Sequence, residues 1–447
     1  MNIHTIILAA GKGTRMNTNL PKVMQPLGGQ TLISHVIKTA KVSSKDITII
    51  VGHQKDLLKE HIASIDPNIQ TTEQNEQLGT AHAVKTASHL IKDDEKVLIL
   101  YGDVPLISSE TIETLINSEQ DCTLLSMKLN DPTGYGRIMT DDENLATRII
   151  EQKDASEDER KIQEVFTGTL LIDGSLLRPA LDEINNQNAA NEYYLTDLVE
   201  ILSSKGVKIN CIQANPIEVL GANNKNELHE LESILRKMSA EKLLEQGITL
   251  LDATRVDVRG EVEAGKDCSV DVNVIFEGTV ILGENVTIKS NVVLQDVSIG
   301  DNSVIESFSH LSSATVGSNC NIGPYARLRE GSEIGNNAKI GNFVETKKTK
   351  LGDGAKANHL AYLGDADIGS KTNIGAGTIT CNYDGIKKSK TKIKDNVFIG
   401  SNSALVAPVT IEEKSIVGAG SVITKSVKKK SLALTRSLQT EIKNYKR

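Results

Sequence analysis

Large aromatic side chains are scarce in this chain of 447 residues. It contains no tryptophan, and aromatic residues make up only 3% of the sequence, whereas hydrophobic residues make up 39%. This composition excludes a core built on large aromatic packing, so aliphatic side chains must fill the interior. The length is sufficient for two or three domains, each with a core of its own.

Long apolar runs and paired cysteines are also missing. No run approaches the ~20 apolar residues that span a bilayer, and the short apolar run at the N-terminus begins a strand pattern at once, unlike a signal peptide. The cysteines are scattered without a C-x-x-C pair, which is typical of free thiols in a reducing compartment: Cys122, Cys211, Cys268, Cys320 and Cys381. The formal net charge of −8 disfavours nucleic-acid binding. We therefore expect a cytoplasmic protein without membrane insertion.

Residues 1–226 show strand-like runs that alternate with helix-length segments. The runs are short and rich in Ile, Leu and Val, as in HTIILAA, DITIIVG, KVLILYGD and DCTLLSMKL. This order predicts an α/β domain, Rossmann-like, with a mostly parallel sheet. Residues 227–247 then predict a linker helix, because apolar residues recur at three- and four-residue steps and Gly247 ends the pattern: Leu228, Leu231, Leu235, Met238 and Leu243.

A strict period of six residues begins within the last part, residues 248–447. It is clearest at Val316, Ile322, Leu328, Ile334 and Ile340, and again at Ile393, Ile399, Leu405, Ile411, Val417 and Ile423. Neither a helix nor an alternating strand gives this period, and a β-sandwich would rarely keep it so long. It predicts a left-handed parallel β-helix, a three-sided prism whose interior we expect to be too thin for aromatic rings. The period slips between Thr380 and Ile393, which predicts a projecting lysine-rich loop there.

The first strand runs into a turn with two glycines, a lysine and an arginine, ILAAGKGTRM. The turn should hold an anion, but it matches neither G-x-G-x-x-G nor a Walker A loop. With the LPK that follows, it resembles the sugar-nucleotidyltransferase family. The resemblance implies that backbone N–H groups at the start of the following helix bind phosphates. Arg15 and Lys22 would neutralise charge while a sugar phosphate attacks the α-phosphorus and releases pyrophosphate.

Further segments extend this resemblance: EQLGTAHA, LYGDVPL, GYGRI, IIEQKDA, EYYLTD and LGANNK. They imply that Asp103 and Asn223 hold Mg²⁺, which usually takes one or two protein oxygens besides phosphate and water. They also imply a set of residues that bind the nucleotide and sugar: Leu8, Ala9, Ala10, Gly11, Lys22, Gln74, Gly79, Thr80, Tyr101, Gly136, Glu151, Tyr194, Thr196 and Asn223.

The hexad region carries ARLREG, NFVETKK, NHLAYLGD, NIGAGTITCNYDG and IGSNSALVAPVTI. Together with the N-terminal motifs, these resemble the family of bifunctional enzymes that make UDP-N-acetylglucosamine, a precursor of cell-wall peptidoglycan and related glycans. The resemblance implies acetyl transfer from acetyl-CoA to glucosamine-1-phosphate, then uridylyl transfer from UTP to N-acetylglucosamine-1-phosphate. It also implies a homotrimer whose acetyl-transfer sites lie between subunits.

Carried over position by position, the resemblance makes His359 the general base for the sugar's 2-amino group, a role that suits histidine because its unperturbed side chain titrates near neutral pH. A backbone N–H near Ala376 would stabilise the oxyanion. The sugar phosphate would be held by Arg329, Lys347, Tyr362 and Asn373. The acetyl-CoA site would comprise Ala376, Asn382, Tyr383, Ser401, Ala419 and Arg436, with Lys388 nearby. The basic C-terminal tail is either a solvated face or a contact for the cofactor's phosphates.

The chain departs from the family pattern at two places. Phe166, in EVFTGTL, replaces an amide that binds the sugar, and Ser-Leu follows Arg436 where Val-Pro is common. Two other functions remain open at this point. In the first, the β-helix only regulates or oligomerises a nucleotidyltransferase and His359 is dispensable. In the second, the protein is a non-enzymatic scaffold with a degenerate nucleotide-binding head.

Overall fold

The computed structural model describes residues 2–445 and divides them into two compact units, with the boundary between Leu235 and Arg236. The first unit contains a nine-stranded sheet in the order β11-β7-β10-β6-β1-β4-β5, with β8 and β9 attached beside β10. The strands of this unit are β1 Ile3–Ala9, β2 Pro26–Leu27, β3 Gln30–Thr31, β4 Asp46–Val51, β5 Gln70–Glu73, β6 Lys96–Tyr101, β7 Cys122–Lys128, β8 Arg137–Thr140, β9 Ala146–Ile150, β10 Glu164–Asp173 and β11 Ile209–Gln213. Of these, β2 and β3 form a separate two-stranded sheet.

Helices connect these strands, as the alternating pattern predicts. They are α1 Leu32–Ser43, α2 Lys55–Ile65, α3 Thr80–Thr86, α4 Ser109–Ile116, α5 Gly174–Glu183, α6 Asp197–Ser204 and α7 Lys225–Glu245, with short 3₁₀ turns at Thr14–Met16, Lys22–Met24, Ser88–Leu90, Glu159–Lys161, Pro216–Val219 and Ala253–Arg255. Strands β1, β4, β5 and β6 are parallel, whereas β10 runs antiparallel to β6 and β7. The expected α/β class with a mostly parallel sheet is confirmed.

Helix α7 begins and ends two residues before the predicted linker. Asn224 Oδ1 accepts from the N–H of Glu227 at 3.0 Å and caps the helix start, and Gly247, at φ 86°, follows its end. Leu228 and Leu231 are buried in the first unit's core. Met238 is 40% exposed, so the prediction that it lies on the apolar face is wrong. The unit boundary falls inside α7 rather than at its ends.

The second unit is a stack of short parallel strands in two long ladders of 11 and 13 strands. The strands are β12 Thr249–Leu250, β13 Val256–Ala264, β14 Ser269–Val270, β15 Val274–Leu282, β16 Thr287–Ile288, β17 Val293–Ile299, β18 Val304–Ile305, β19 His310–Val316, β20 Asn321–Ile322, β21 Arg327–Leu328, β22 Ser332–Ile334, β23 Lys339–Asn342, β24 Glu345–Leu351, β25 Lys356–His359, β26 Tyr362–Ile368, β27 Asn373–Ile374, β28 Ile379–Cys381, β29 Thr391–Ile393, β30 Phe398–Ile399, β31 Ala404–Val406, β32 Val409–Ile411, β33 Ile416–Val417, β34 Val422–Ile423 and β35 Leu432–Ala433.

Each coil of this stack is three hexads long. Ile340 lies beside Ala357 and Ala357 beside Ile374, so residues that lie side by side on adjacent coils are separated in the sequence by about the length of one coil. The hexad residues, from Val316 to Ile423, are buried in one continuous core. The predicted left-handed β-helix is confirmed. Its interior does admit a ring, because Phe276 is 1% exposed between the register neighbours Val258 and Leu294, so the expectation of an interior too thin for aromatics is wrong.

The projecting loop lies where the hexad period slips. Ile368 pairs with Ile393, 25 residues on, so this coil is longer than its neighbours. The extra residues form a turn between β28 and β29 in which Tyr383 bridges to Lys388 and Ile386 is 93% exposed. All five cysteines are free thiols, as predicted.

Candidate active sites

A cavity of about 280 Å³ opens at the carboxyl ends of β1 and β6. This is the edge of a parallel sheet where α/β proteins bind ligands. Most of the sugar-nucleotide residues predicted from the sequence share this cavity, namely Leu8, Ala9, Ala10, Gly11, Lys22, Gln74, Gly79, Thr80, Tyr101 and Asp103. The fold therefore gathers residues that are up to 95 positions apart in the sequence, from Leu8 to Asp103, around one space.

The glycine-rich turn leads into a single 3₁₀ turn, Thr14–Met16, and not into an α-helix. The helix expected after the turn is therefore only one 3₁₀ turn, and phosphate binding by its backbone N–H groups stays a prediction. The chain reverses at Gly13, which has φ 59°, and a Cβ there would lie 2.6 Å from the Cβ of Lys22. Gly11 by contrast has open space where a side chain would stand. Gly13 thus packs the turn onto Lys22, and Gly11 leaves room for a ligand.

Four predicted residues form one polar cluster beside the turn. The ammonium of Lys22 forms an ion pair with Asp103 and donates to Asn223 Oδ1 at 2.8 Å, and Arg15 donates to the same oxygen at 3.2 Å. The Lys22 and Asp103 side chains are only 14% and 18% exposed. The proposed metal ligands Asp103 and Asn223 therefore meet around one positive charge. One carboxylate and one amide oxygen suit Mg²⁺, which retains water and phosphate oxygens.

Glu227, which the sequence reasoning missed, holds Asn223 in place. Its Oε2 accepts from the backbone N–H of Asn223 at 2.7 Å and from the side-chain Nδ2 at 3.1 Å. Because a carboxylate only accepts and Lys22 only donates, the amide oxygen of Asn223 must face Lys22. An acidic residue three positions after a helix-capping Asn is a signal that could have identified it. Within residues 2–445, no cluster of three or more His, Cys, Asp and Glu side chains is placed to hold a metal ion.

The turn at Gly79 closes one side of the cavity. Gly79 has φ 118°, and a Cβ there would lie 2.4 Å from the carbonyl oxygen of Tyr193, so no side chain fits. The Nε2 of Gln74 donates to the carbonyl of Gly79 at 3.0 Å, and Thr80 Oγ1 accepts from the N–H of Leu195 at 3.0 Å. These bonds tie the predicted base-binding segment to the segment that carries Tyr194 and Thr196.

Glu151 and Tyr194 line a neighbouring cavity of about 410 Å³ rather than the first one. Thr196 Oγ1 donates to Glu151 Oε1 at 3.0 Å, and a Cβ on Gly136 would lie 3.5 Å from the same oxygen. Burial raises the pKa of Glu151 and raises the pKa of Tyr194 to about 12. Glu151 therefore bonds to Thr196 and lies beside Gly136.

Phe166, which replaces the amide of the family pattern, is buried. It is 6% exposed in the core that contains Ile149 and Leu170, and its N–H donates to the carbonyl of Gly136 at 2.9 Å. The aromatic ring belongs to the hydrophobic core, while its backbone positions Gly136.

In the β-helix, one column of residues at a single corner contains His359 and three predicted acetyl-CoA residues. Strand pairing places Lys356 beside Asn373, Asn373 beside Phe398 and Phe398 beside Ile416. Extending this register by three residues along each coil places His359, Ala376, Ser401 and Ala419 in one column. Backbone hydrogen bonds from Asn402 to Ala376 at 2.7 Å and from Gly420 to Ser401 at 2.8 Å join the coils at this level. His359 is exposed, and its Nδ1 lies 3.0 Å from Oδ1 of Asn342 in the preceding coil.

The residues predicted to hold the sugar phosphate divide between the two ladders. The ladder that contains β21, β24 and β26 carries Arg329, Lys347 and Tyr362 on successive coils. Asn373 lies on the other ladder, in β27. The Arg329 and Lys347 side chains pair with Glu345 at 2.8 Å and with Glu330 at 3.1 Å. Both cations are therefore paired with carboxylates in the structure.

The remaining acetyl-CoA residues lie on the projecting loop and the tail. Gly364 makes room for the Tyr362 hydroxyl and the Asn382 amide, which would lie 2.5 and 2.9 Å from a Cβ at that position. Tyr383 is exposed at the start of the loop that carries Lys388. The Arg436 side chain lies 3.7 Å from where a Cβ on Gly420 would be, one residue beyond Ala419.

Comparison with known proteins covers the whole chain. Residues 5–167 match the MobA-like NTP transferase domain, and residues 296–329, 313–348 and 390–425 match the bacterial transferase hexapeptide with six repeats. A protein of Idiomarina loihiensis named Bifunctional protein GlmU is 48% identical over 451 residues, covering 100% of this chain and 98% of the relative. The chain belongs to the GlmU family. Proteins of the same name from Marinobacter nauticus and Acinetobacter baumannii are 45% and 48% identical over the full chain.

This membership confirms that the chain is a bifunctional transferase, with a nucleotidyltransferase unit and a hexapeptide acyltransferase unit, as expected for one acetyl transfer and one uridylyl transfer. The two alternatives, a β-helix that only regulates or oligomerises a nucleotidyltransferase and a non-enzymatic scaffold, are therefore wrong. Within residues 2–445, no helix combines the length and apolar character needed to cross a membrane.

Proposed function

We propose that the cavity at the end of β1 binds UTP and N-acetylglucosamine-1-phosphate and transfers the uridylyl group. The sugar's phosphate oxygen attacks the α-phosphorus, a P–O bond forms, and the bond to the β-phosphate breaks to release pyrophosphate. Arg15 and Lys22 already meet at the cavity rim and offset the negative charge that this attack gathers. The observation that carries this proposal is the convergence of Lys22, Asp103 and Asn223 beside the glycine-rich turn.

Asp103 and Asn223 are the residues that would hold Mg²⁺ in this site. When bound, the ion supplies positive charge against the phosphates. Lys22 now occupies the space between the two ligands. In our proposal its ammonium leaves Asp103 and pairs with the triphosphate, so the carboxylate becomes free for the metal.

We further propose that His359 catalyses acetyl transfer from acetyl-CoA to glucosamine-1-phosphate. Its Nε2 takes a proton from the sugar's 2-amino group as the nitrogen forms a bond to the thioester carbon; the C–S bond then breaks, and the same proton passes from Nε2 to the departing thiolate to give the CoA thiol. Ala376, Ser401 and Ala419 continue the His359 column and form the wall on which the pantetheine arm would lie. The nucleotide product would then supply the synthesis of peptidoglycan and related glycans.

The acetyl-transfer site is proposed to be completed by neighbouring subunits in a homotrimer. Phe308, Tyr325 and Phe343 stack along one corner of the β-helix with ring centroids 5.0 and 5.3 Å apart, and all three are about half exposed. Leu360, directly after His359, continues this apolar column at 61% exposed. An exposed apolar column beside a candidate site is typical of a contact surface. Light scattering should give a trimer, and a monomer at micromolar concentration would contradict the shared site.

We propose that the protein is cytoplasmic and acts only on small molecules. Two variants test whether its two activities reside at separate sites. His359→Ala should abolish thiol release from acetyl-CoA and leave pyrophosphate formation from UTP and N-acetylglucosamine-1-phosphate intact. Asp103→Ala should have the opposite effect. Equal loss of both activities in either variant would refute two independent sites.

A further inference from the structure

The His359 ring has one side-chain partner in its own column. Strands β23 and β25 pair Asn342 directly with His359, and Oδ1 of Asn342 lies 3.0 Å from Nδ1 of the ring. On the other side of the ring, extending the pairing of Lys356 with Asn373 by three residues brings Ala376 next to His359, and the methyl group of Ala376 can neither donate nor accept. The contact with Asn342 therefore involves the nitrogen that does not face the substrate in the proposed reaction.

We infer that Asn342 is a positioning residue that fixes the tautomer of His359. The inference rests on the proposed role of His359 as general base. If Nδ1 carries the proton and donates to Asn342 Oδ1, the lone pair is on Nε2, where a base needs it. Without this acceptor, the proton can occupy either nitrogen and the ring can rotate about its side-chain bonds.

The backbone holds the two side chains in this register. A Cβ on Gly341 would lie 1.8 Å from the carbonyl oxygen of Asn358, so the two coils approach closely just before Asn342 and His359. Phe343 and Leu360, the next residues, both adopt left-handed conformations with φ 55° and 48°. Both coils therefore turn at the same point, and the Asn342 and His359 side chains leave the corner in parallel.

Asn342→Leu and Asn342→Asp separate hydrogen bonding from side-chain size. The leucine variant removes the acceptor, and we expect kcat for thiol release to fall about 10- to 100-fold while KM for both substrates changes little. The aspartate variant keeps an acceptor at the same position, and we expect it to regain most of this loss. Gln295→Leu is the matched control, because it deletes a similar bond between coils, from Ser312 Oγ to Gln295 Oε1 at 3.0 Å.

A spectroscopic measurement reports the tautomer without relying on turnover. In full-length protein labelled with ¹⁵N-histidine and assigned through His359→Ala, wild type should show a protonated Nδ1 and a bare Nε2. Asn342→Leu should lose this pattern, and Gln295→Leu should keep it. The inference is overturned if Asn342→Leu keeps the wild-type ¹⁵N pattern and kcat, or if Asn342→Asp is as slow as the leucine variant. If the wild-type protein itself released no thiol, that result would instead refute the proposed function.

Discussion

Replacing Gly341 by alanine would force two coils of the β-helix apart next to His359. The added Cβ would lie 1.8 Å from the carbonyl oxygen of Asn358, and ordinary van der Waals contact begins near 3.4 Å, so the strands must separate by about 1.5 Å. Overpacking of this kind costs about 1–3 kcal/mol of stability. A displacement of about 1 Å in a catalytic group can slow a reaction about 100-fold. We therefore expect Gly341→Ala to reduce thiol release about 100-fold.

The assay compares the two half-reactions in the same protein preparation. Pyrophosphate formation should stay at the wild-type rate, because the nucleotidyltransferase unit has cores of its own. Gly317→Ala is the control, since its Cβ would also crowd the next coil, at 2.7 Å from Oδ1 and 2.9 Å from the backbone nitrogen of Asn336, a milder clash at a point where no candidate site residue lies. It should lower the unfolding midpoint but preserve thiol release. Wild-type thiol release in Gly341→Ala would refute the claim that coil spacing positions His359.

Two further predictions concern the nucleotidyltransferase unit. Glu227→Gln should weaken Mn²⁺ binding about tenfold, because Asn223 loses the carboxylate that orients it. The affinity is measured by electron paramagnetic resonance with UTP present, and an unchanged affinity would contradict this role of Glu227. Burial raises the pKa of Asp197 to about 6, with further contributions from Glu200 and Glu151. The folded state therefore binds this proton more tightly than the unfolded state, and stability falls as pH rises from about 4 to 6. In urea titrations, Asp197→Asn should therefore add about 1 kcal/mol to the free energy of unfolding at pH 8 and nothing below pH 4. An equal effect at both pH values would contradict a raised pKa at Asp197.

The β-helix could be predicted from the sequence because each coil repeats the same constraint. An aliphatic residue every six positions, such as Ile322 or Ile340, has one inward-facing place in a three-sided coil, so periodicity alone defines the fold. The position of Phe276 could not be predicted in this way. Whether a ring fits depends on the size of its neighbours in register, Val258 and Leu294, and these come from other coils.

The candidate sites were predictable in residue type but not in local geometry. The glycine-rich turn predicted anion binding, yet the chain forms a single 3₁₀ turn after it, because Gly13 folds back onto Lys22. Likewise, the contact of Asn223 with Lys22 joins residues about 200 positions apart, so it depends on the tertiary structure. The contact of Asn223 with Glu227 depends on where helix α7 starts. Met238 is exposed because its side chain does not pack on a core. The periodicity of the helix does not specify which of its apolar side chains pack on a core.

The central claim is that one chain carries two independent chemistries, and one measurement tests it most directly. Purified wild-type protein receives glucosamine-1-phosphate, acetyl-CoA, UTP and Mg²⁺, while free thiol and pyrophosphate are followed separately. We predict that both products accumulate and that omitting acetyl-CoA removes the thiol signal. Pyrophosphate without any thiol, or neither product from folded protein, would contradict the account.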